Sequence, residues 1–374
     1  AAAAQAQTSA DGDFTWSPRA YVQFDTRAYP GWEVSTGTGR LEYDTLEVRR
    51  LRAGVEGKWK QFDFELGIDP LDNLDGAFVK DAYLQWRASK PLRIRLGQFK
   101  LPGGHEYDTS AANIDFLERS GYVSSSGATR DMGVMASGRI RKGLEYQAGL
   151  FAGDGHGRKS RAGITAAGRL EWQPSKALTL GTSMSGGRTH ADDSEPANGV
   201  DGRTSSGYRF FERVYVNGWR TRLGADASWT PGPWAINAEV LRVTDQRQGQ
   251  GLDFEDLPSV VSNGWSASVI REFGRRRGAA RSRLHEFTVG LRAEGQYLDD
   301  TGTATSASSV RPRATDIRPR GATTIGANVS WNLAKWARIM TGTGWDWFTD
   351  TRSAPDASRR GYWSFGTRLQ LDLK

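Results

Sequence analysis

The sequence predicts an all-β fold, a transmembrane antiparallel β-barrel of about sixteen strands with a long third loop folded into its lumen. Three observations support this prediction. Polar and apolar residues alternate with a period of two, in segments of about ten residues, which is the length of a tilted membrane-spanning strand. The connections between these segments alternate between short turns and long loops. Tryptophans lie next to the short turns.

The alternation is clear in the segment Val48–Lys60, where Leu51 and Val55 share one face and Arg50 and Arg52 share the other. An apolar face and a polar face on the same strand are typical of a sheet with one water-facing side. Strands are predicted at Pro18–Arg27, Val48–Lys60, Phe62–Ile68, Lys80–Arg87, Leu92–Lys100, Asp131–Ile140, Leu144–Ala152, Gly163–Trp172, Leu178–Gly187, Tyr215–Trp229, Trp234–Thr244, Ser259–Arg271, Glu286–Tyr297, Thr323–Trp331, Ala337–Phe348 and Tyr362–Lys374. The side chains expected to face lipid include Leu51, Val55, Trp59, Leu84, Trp86, Leu92 and Ile94.

The connections fall into two length classes, as in outer-membrane barrels, which have short periplasmic turns and long external loops. The short turns are Lys60-Gln61, Ser89–Pro91, Arg141–Gly143, Gln173–Ala177, Thr230–Pro233 and Asn332–Lys335, and the long loops lie near 28–45, 70–78, 101–130, 153–162, 188–210, 245–258, 298–322 and 349–361. Residues 272–285 break the rule, because they are long and basic on the short-turn side. They are interpreted as a solvated turn or a contact with acidic periplasmic partners, and a nucleic-acid role for Arg275–Arg277 stays open.

Seven tryptophans lie beside the short turns: Trp59, Trp86, Trp172, Trp229, Trp234, Trp331 and Trp336. Indole favours the bilayer interface because it joins an apolar ring to one polar N–H. Their placement therefore indicates a girdle at one edge of a membrane-spanning barrel.

The third long loop, residues 101–130, is predicted to be the constriction of the barrel. A loop of this length among hairpins is usually functional or disordered. It contains an apolar and charged stretch, Ile114, Phe116, Leu117 and Glu118, that needs a wall to pack against. A surface loop with a short helical turn is the alternative.

Composition sets the limits on domain organisation. The 374 residues suffice for one large barrel or two ordinary globular domains, and no apolar run is long enough for a transmembrane helix. Residues 1–12 start with alanine-rich sequence that resembles the remnant of a cleaved secretory signal, so 13–374 are assigned to a single barrel domain. Cysteine is absent, which decides little about the compartment.

The formal net charge is +7 and the cations are mostly arginine, spread through nearly every strand. Nucleic-acid binders usually concentrate their charge in one patch, so no nucleic-acid partner is expected. Inward arginines could instead form a ladder for small anions, because guanidinium stays charged and matches oxyanions bidentately. The predicted pore-lining and anion-binding residues are Arg50, Arg52, Arg93, Arg95, Lys100, Arg119, Arg130, Arg220 and Arg222. The alternative is that these cations pair with inward acids such as Glu56, Glu65, Asp81 and Asp226.

Evidence for enzymatic chemistry is weak. The four histidines, at 105, 156, 190 and 285, have no metal-ligand spacing, and nucleophile, phosphate-loop and zinc-protease motifs are absent. Residues 69–76 are rich in Asp and Asn but lack the spacing of a calcium loop. No enzyme activity, cofactor or metal is predicted, although a barrel hydrolase stays open.

Several motifs resemble one family of porins. They are the runs 49–57 (RRLRAGVEG), 80–83 (KDAY), 95–102 (RLGQFKLP), 116–120 (FLERS), 130–134 (RDMGV), 221–226 (TRLGAD) and 368–372 (RLQLD), spread in order over almost the whole chain. The chain is similar in these to the phosphate-selective porins of the O and P type. That resemblance implies sixteen-stranded outer-membrane trimers whose third loop folds into the lumen and whose pore carries basic side chains.

The sequence therefore predicts a homotrimeric, anion-preferring diffusion porin in the bacterial outer membrane, in contact with lipid and lipopolysaccharide. Small anions such as phosphate are the expected solutes. A structural or scaffold barrel that docks partner proteins through its loops, with an incidental pore, is the alternative from another class.

Overall fold

Nineteen strands and two short helices make up the described part of the computed structural model, which covers residues 7–8, 13–32, 41, 45–71, 78–153, 163–191, 199–250, 254–274, 287–300, 320–356 and 358–373. The strands are β1 (Gln7–Thr8), β2 (Phe14–Ala28), β3 (Leu46–Trp59), β4 (Phe62–Ile68), β5 (Val79–Trp86), β6 (Arg93–Lys100), β7 (Arg130–Arg141), β8 (Leu144–Phe151), β9 (Thr165–Trp172), β10 (Leu178–His190), β11 (Val200–Arg203), β12 (Arg209–Val214), β13 (Asn217–Trp229), β14 (Trp234–Arg247), β15 (Leu257–Phe273), β16 (Phe287–Asp300), β17 (Arg320–Ala334), β18 (Ala337–Phe348) and β19 (Gly361–Leu373). The helices are α1 (His105–Asp108) and α2 (Gly121–Ser126). Within these ranges, no helix has the length and apolar character needed to cross a membrane.

Sixteen of the strands, β2–β10 and β13–β19, close into one antiparallel barrel. Closure is made by β19, which pairs with β2 from Leu373↔Ala20 to Phe365↔Ala28. The strand number and the antiparallel barrel predicted from the sequence are confirmed, and the observed bounds lie within a few residues of the predicted ones. Closure also removes the free sheet edges that would otherwise be left unpaired.

The two faces of the wall follow the predicted alternation. Leu51, Trp59, Leu84 and Trp86 are exposed on the outer face, and the remaining predicted lipid-facing residues Val55, Leu92 and Ile94 are partly exposed. All seven tryptophans next to the short turns are exposed as well. Polar residues of the opposite parity, such as Gln23 and Asp25, are buried inside.

A hairpin of β11 and β12 lies within and just after the segment that the sequence analysis treated as a plain loop near 188–210. Its pairing shifts register between Val200 and Arg203. In the sequence, the adjacent residues Phe210 and Phe211 interrupt the period-two pattern that would indicate a strand. The hairpin packs in an apolar cluster with wall residues: Val260, Leu298, Ala322, Phe348 and Tyr362. It therefore fills the inside of the barrel along β15–β19.

Several sequence-based predictions concern residues outside the described ranges. These are the tail 1–12 apart from Gln7–Thr8, the basic run Arg275–Arg277, the acidic positions 72–76, and the histidines at 156 and 285.

Candidate functional site

The third loop, residues 101–129, crosses the inside of the barrel and contacts strand residues far along the chain. Its partners include Gln23, Glu239, Arg292, Asn328 and Arg338, which all have the inward, polar parity of their strands. The loop therefore packs against the inner wall. Two sets of wall residues hold it, one acidic and one basic.

The acidic set follows a single cross-strand row of the barrel. Glu145 pairs with Glu171, Glu171 with Gly181, Gly181 with Asp226, and Asp226 with Glu239. The row continues from Glu239 through Ser266 to Glu294, and from Glu294 through Thr324 to Asp346. Six carboxylates thus share one row, which we call the acidic row: Glu145, Glu171, Asp226, Glu239, Glu294 and Asp346.

Two carboxylates of the acidic row bind the backbone of the third loop directly, and a third does so through Arg169. Glu239 accepts a hydrogen bond from the Glu106 N–H at 2.9 Å, and Glu294 accepts one from the Gly121 N–H at 3.1 Å. Asp226 pairs with Arg169 at 2.5 Å, and Arg169 also donates to the Gly103 carbonyl at 2.8 Å. Like charges on neighbouring strands are destabilising on their own, so these donors are needed to stabilise the row.

The basic set surrounds the buried carboxylate of Glu118. Four guanidinium groups contact it, from Arg368 at 2.6 Å, Arg50 at 2.7 Å, Arg49 at 3.0 Å and Arg27 at 3.1 Å. Burial by itself would raise the pKa of this carboxyl, but the guanidinium groups of Arg49, Arg50, Arg368 and Arg27 hold it well below its usual range. Glu118 is therefore a charged anchor, here called the Glu118 clamp.

A β-bulge explains why two successive arginines reach Glu118. Gln23 pairs with Arg50 and Phe24 pairs with Val48, so Arg49 is the extra residue of β3. A bulge turns two neighbouring side chains toward the same face. Arg49 therefore points inward beside Arg50, against the alternation expected from the sequence.

The loop tip is also held through its carbonyl groups. Gln23 donates to Ala111 at 3.3 Å, Arg338 donates to Ala112 at 2.9 Å, and Asn328 donates to the Asp115 carbonyl at 2.8 Å. Of the predicted constriction residues, Ile114 is buried, Phe116 lies under the Arg292 guanidinium at 4.6 Å, and the Leu117 carbonyl accepts from Arg368. The stretch that was predicted to pack therefore contacts the inner wall of the barrel.

Four of the nine predicted anion-binding residues are ion-paired. Arg50 pairs with Glu118, Arg52 with Asp69 at 3.1 Å, Arg130 with Asp81 at 2.9 Å, and Arg220 with Asp245. At three of these positions the charges pair within the wall, which is the alternative that the sequence left open, and Arg50 joins the wall to the third loop.

Three further predicted residues donate to backbone carbonyls of the third loop. Lys100 donates to Tyr107 at 2.6 Å and to Asp108 at 3.1 Å. Arg119 donates to Glu106 at 3.0 Å and to Thr109 at 2.5 Å, and Arg222 donates to Ser126 at 3.1 Å. Their contacts position the loop.

The last two, Arg93 and Arg95, line a cavity of about 360 Å³ against β5–β9. Arg95 lies over the Tyr83 ring at 4.1 Å and donates twice to the neutral Gln85 oxygen, at 3.0 and 2.9 Å. The nearest carboxylate contact of Arg93 is long, at 3.9 Å to Glu145. Lys100 and Arg169 also line this cavity, together with the carboxylates of Asp108, Glu145 and Glu171.

Within the described residues, no group of three or more His, Asp or Glu side chains could hold a metal ion. The first acid of the predicted calcium-like segment, Asp69, is instead bound to Arg52 and accepts from the Leu51 N–H at 3.4 Å.

Sequence reasoning missed the wall arginines that hold the loop: Arg27, Arg49, Arg169, Arg292 and Arg368. Inward parity could have found four of them, because each is buried between strand neighbours that are at least partly exposed. Arg49 lacks even that signal, since the bulge reverses its parity.

Comparison with known proteins identifies the family. The family model for phosphate-selective porin O and P matches residues 33–280. Comparison with curated protein sequences finds no match. The fold is similar to that of the outer membrane channel DcaP of Acinetobacter baumannii, with a TM-score of 0.64 at 10% identity over 98% of this chain and 99% of that chain.

Two further solved structures resemble the chain. One is in-vitro folded OmpT, an outer membrane protein of Vibrio cholerae in its trimer form, with a TM-score of 0.59 at 12% identity over 96% of this chain and 99% of that chain. The other is the anion-selective porin from Comamonas acidovorans, with a TM-score of 0.57 at 11% identity over the same shares. Fold and family model together indicate a channel of the bacterial outer membrane. The chain belongs to the family of phosphate-selective porins O and P.

Proposed function

We propose that this protein is an anion-preferring diffusion channel of the outer membrane, for small anionic solutes such as phosphate. The observation that carries the proposal is the position of Arg95 in the cavity along β5–β9. Its contacts with Gln85 and the Tyr83 ring hold the guanidinium in place without neutralising its charge. A fixed, hydrated guanidinium beside the path of a solute attracts carboxylates and phosphates.

Arg93 and Lys100 add to this preference from the same wall. Both line the cavity, and Lys100 donates to carbonyl oxygens of the loop there. We propose that a solute meets a short basic stretch formed by Arg93, Arg95 and Lys100. Arg52, Arg130 and Arg220 would then stabilise the wall and Arg50 the attachment of the third loop, because each is paired with an acid.

We propose that the third loop sets the narrowest point of the channel. Support comes from its attachment to the acidic row on one side and to the Glu118 clamp on the other. Deleting residues 104–113 removes α1 and the carbonyls bound by Gln23 and Arg338. Single-channel conductance is expected to rise in that variant, and an unchanged conductance in a correctly folded protein would refute the constriction.

We also propose a homotrimer embedded in lipid and lipopolysaccharide. One solved structure of similar fold, OmpT of Vibrio cholerae, is a trimer form, and an outward apolar face flanked by tryptophans suits a membrane. The channel carries out no chemistry in this proposal, so neither a catalytic residue nor a cofactor is assigned.

The test is the reversal potential of the reconstituted protein in a KCl gradient. Wild type is expected to prefer chloride, and Arg93→Gln/Arg95→Gln is expected to move the potential toward potassium. Arg242→Gln is the matched control, because Arg242 is exposed on the outer face, where it donates to Asn263. Potassium preference in wild type would overturn anion selectivity, and absence of any conductance would favour the scaffold barrel.

A further inference from the structure

Glu145 and Glu171 differ from the other carboxylates of the acidic row. Their side chains are each 46% exposed, whereas Asp226, Glu239, Glu294 and Asp346 are at most 8% exposed. They are direct cross-strand partners on β8 and β9, so their Cβ atoms lie about 4.5–5.5 Å apart. Two like charges at this spacing repel, and Arg139, at 3.5 Å from Glu145, and Arg169, at 3.3 Å from Glu171, offset only part of this repulsion. Neither carboxylate holds the third loop in the contacts described above.

Both carboxylates line the cavity that also contains Arg93 and Arg95. The residues between the two charged groups are neutral and polar, because Arg93 pairs across the sheet with Ser137, and Ser137 pairs with Gln147. The cavity therefore has a basic edge on β6, and its β8–β9 side carries Glu145 and Glu171 together with Arg169, the cross-strand partner of Gln147. Only the basic edge of the cavity attracts a simple anion.

We propose that this cavity is a transit site for small zwitterionic solutes. The oxyanionic group of the solute binds Arg93 and Arg95, and its ammonium group binds between Glu145 and Glu171. The proposal rests on the channel function proposed above and names a second solute class for the same pore.

The charge arrangement explains why a zwitterion would fit better than an ion of either sign. A free anion is attracted by the arginines but repelled by the carboxylates. A free cation is attracted by the carboxylates but repelled by the arginines. A solute with both charges relieves the repulsion between Glu145 and Glu171 while it binds the guanidinium groups. The 3.9 Å separation of Arg93 and Glu145 is longer than a tight ion pair, so the two groups remain accessible to a competing solute.

Weak binding is what a channel requires, because a solute must leave as readily as it enters. Exposed ion pairs contribute up to about 1 kcal/mol, so we expect permeation of a zwitterion to exceed that of a neutral solute of similar size by about two- to fivefold.

The experiment compares liposome swelling in serine and in a neutral polyol of similar size, for wild type and Glu145→Gln/Glu171→Gln. Wild type is expected to pass serine faster, and the double variant is expected to lose this advantage. Arg93→Gln/Arg95→Gln should lose it as well. Glu56→Gln is the matched control, because Glu56 is 48% exposed beside Arg19 and lies outside this cavity, and it should keep the advantage.

Equal swelling in serine and polyol with wild type would overturn the inference, as would a double variant that still prefers serine. Heat-dependent electrophoretic mobility confirms that each variant is folded. The reversal potential of the same wild-type preparation separates the two proposals. Chloride preference without a serine advantage leaves the anion channel standing and removes only the zwitterion site.

Discussion

At the scale of single residues, Glu118 attaches the third loop to four wall arginines. Glu118→Gln keeps the size of the side chain but leaves Arg27, Arg49, Arg50 and Arg368 without their shared carboxylate. Removing one partner of a buried ion pair costs about 3–5 kcal/mol. We expect a lower denaturation temperature and a noisier single-channel current.

Asp115→Asn is the control for Glu118→Gln, because it removes the same charge from an exposed position of the same loop. Equal current noise in the two variants would contradict the clamp.

The pH dependence of stability gives a second check of the Glu118 clamp. Because the pKa of Glu118 is lowered on folding, its contribution to stability is full above the unfolded pKa of about 4.3 and is lost only as the pH falls through the lower folded value. The clamp should therefore hold at pH 5.

Asp108 predicts a pH effect on selectivity. Partial burial raises the pKa of its carboxyl to about 6, against the lowering effects of Arg169 and Lys100. The carboxyl lines the cavity with Arg93 and Arg95, so its protonation makes the cavity more positive. Anion preference, measured as reversal potential, should increase as the pH falls from about 7 to about 5.

Asp108→Asn is expected to show, at both pH values, the anion preference that wild type reaches only at about pH 5. A wild-type potential that does not change over this range would contradict the assignment. The stability effect has the opposite sign to that of Glu118. Because the folded pKa is raised, the neutral form is favoured, and stability falls as the pH rises from the ordinary value near 3.8 to about 6.

The residues that carry the site were only partly predictable from the sequence. Parity placed Arg93 and Arg95 on the inner face, because each side chain of a strand alternates with its neighbours. Parity could not show that Arg130 meets Asp81 or that Arg95 meets Gln85, since these partners come from other strands and depend on register. Arg49 was missed because a bulge reverses the alternation.

At the scale of elements, the hairpin β11–β12 packs against helix α2 of the third loop. Gly121 marks their contact, because a Cβ atom there would lie 1.9 Å from the Arg203 carbonyl oxygen. Gly121→Val is therefore expected to push α2 away from the hairpin and to weaken the bond from its N–H to Glu294. Overpacking of this kind costs about 1–3 kcal/mol.

The measurement for Gly121→Val is single-channel noise together with thermal stability of the folded protein. Gly67→Ala is the control, because a Cβ atom there meets its nearest neighbour, in Asp81, only at 3.9 Å. If both variants behave like wild type, the hairpin does not hold the loop.

The elements differ in how much the sequence shows of them. Barrel strands such as β14 and β18 were predicted closely, because one face meets apolar surroundings and the other meets water along their whole length. The hairpin β11–β12 was not predicted, because its strands have only four and six residues and their pairing shifts register. The length and apolar stretch of the third loop indicated that it packs, but its partners are set by the closed barrel.

At the scale of the whole molecule, the wall is uneven. Strands β4, β5, β6, β8 and β9 have seven or eight residues, whereas β13–β19 have between twelve and seventeen. Eight residues at about 3.3 Å each, tilted by about 45°, rise only about 19 Å, which is less than the roughly 25 Å apolar band of an outer-membrane barrel. The long strands therefore match the apolar thickness of the bilayer better than the short strands do.

This asymmetry predicts which face meets another copy in the proposed trimer. Leu96 on β6 and Val240 on β14 are both exposed in the single chain, at 64% and 54%. The chain has no cysteine, so Leu96→Cys and Val240→Cys each give one labelling site. We expect brominated lipids to quench a fluorophore at position 240 strongly and one at position 96 weakly, because a second copy covers the short strands. Dilution to monomer in detergent containing the same lipid should make the two positions equally accessible. Equal quenching in the reconstituted assembly would place the short strands against lipid and contradict the prediction.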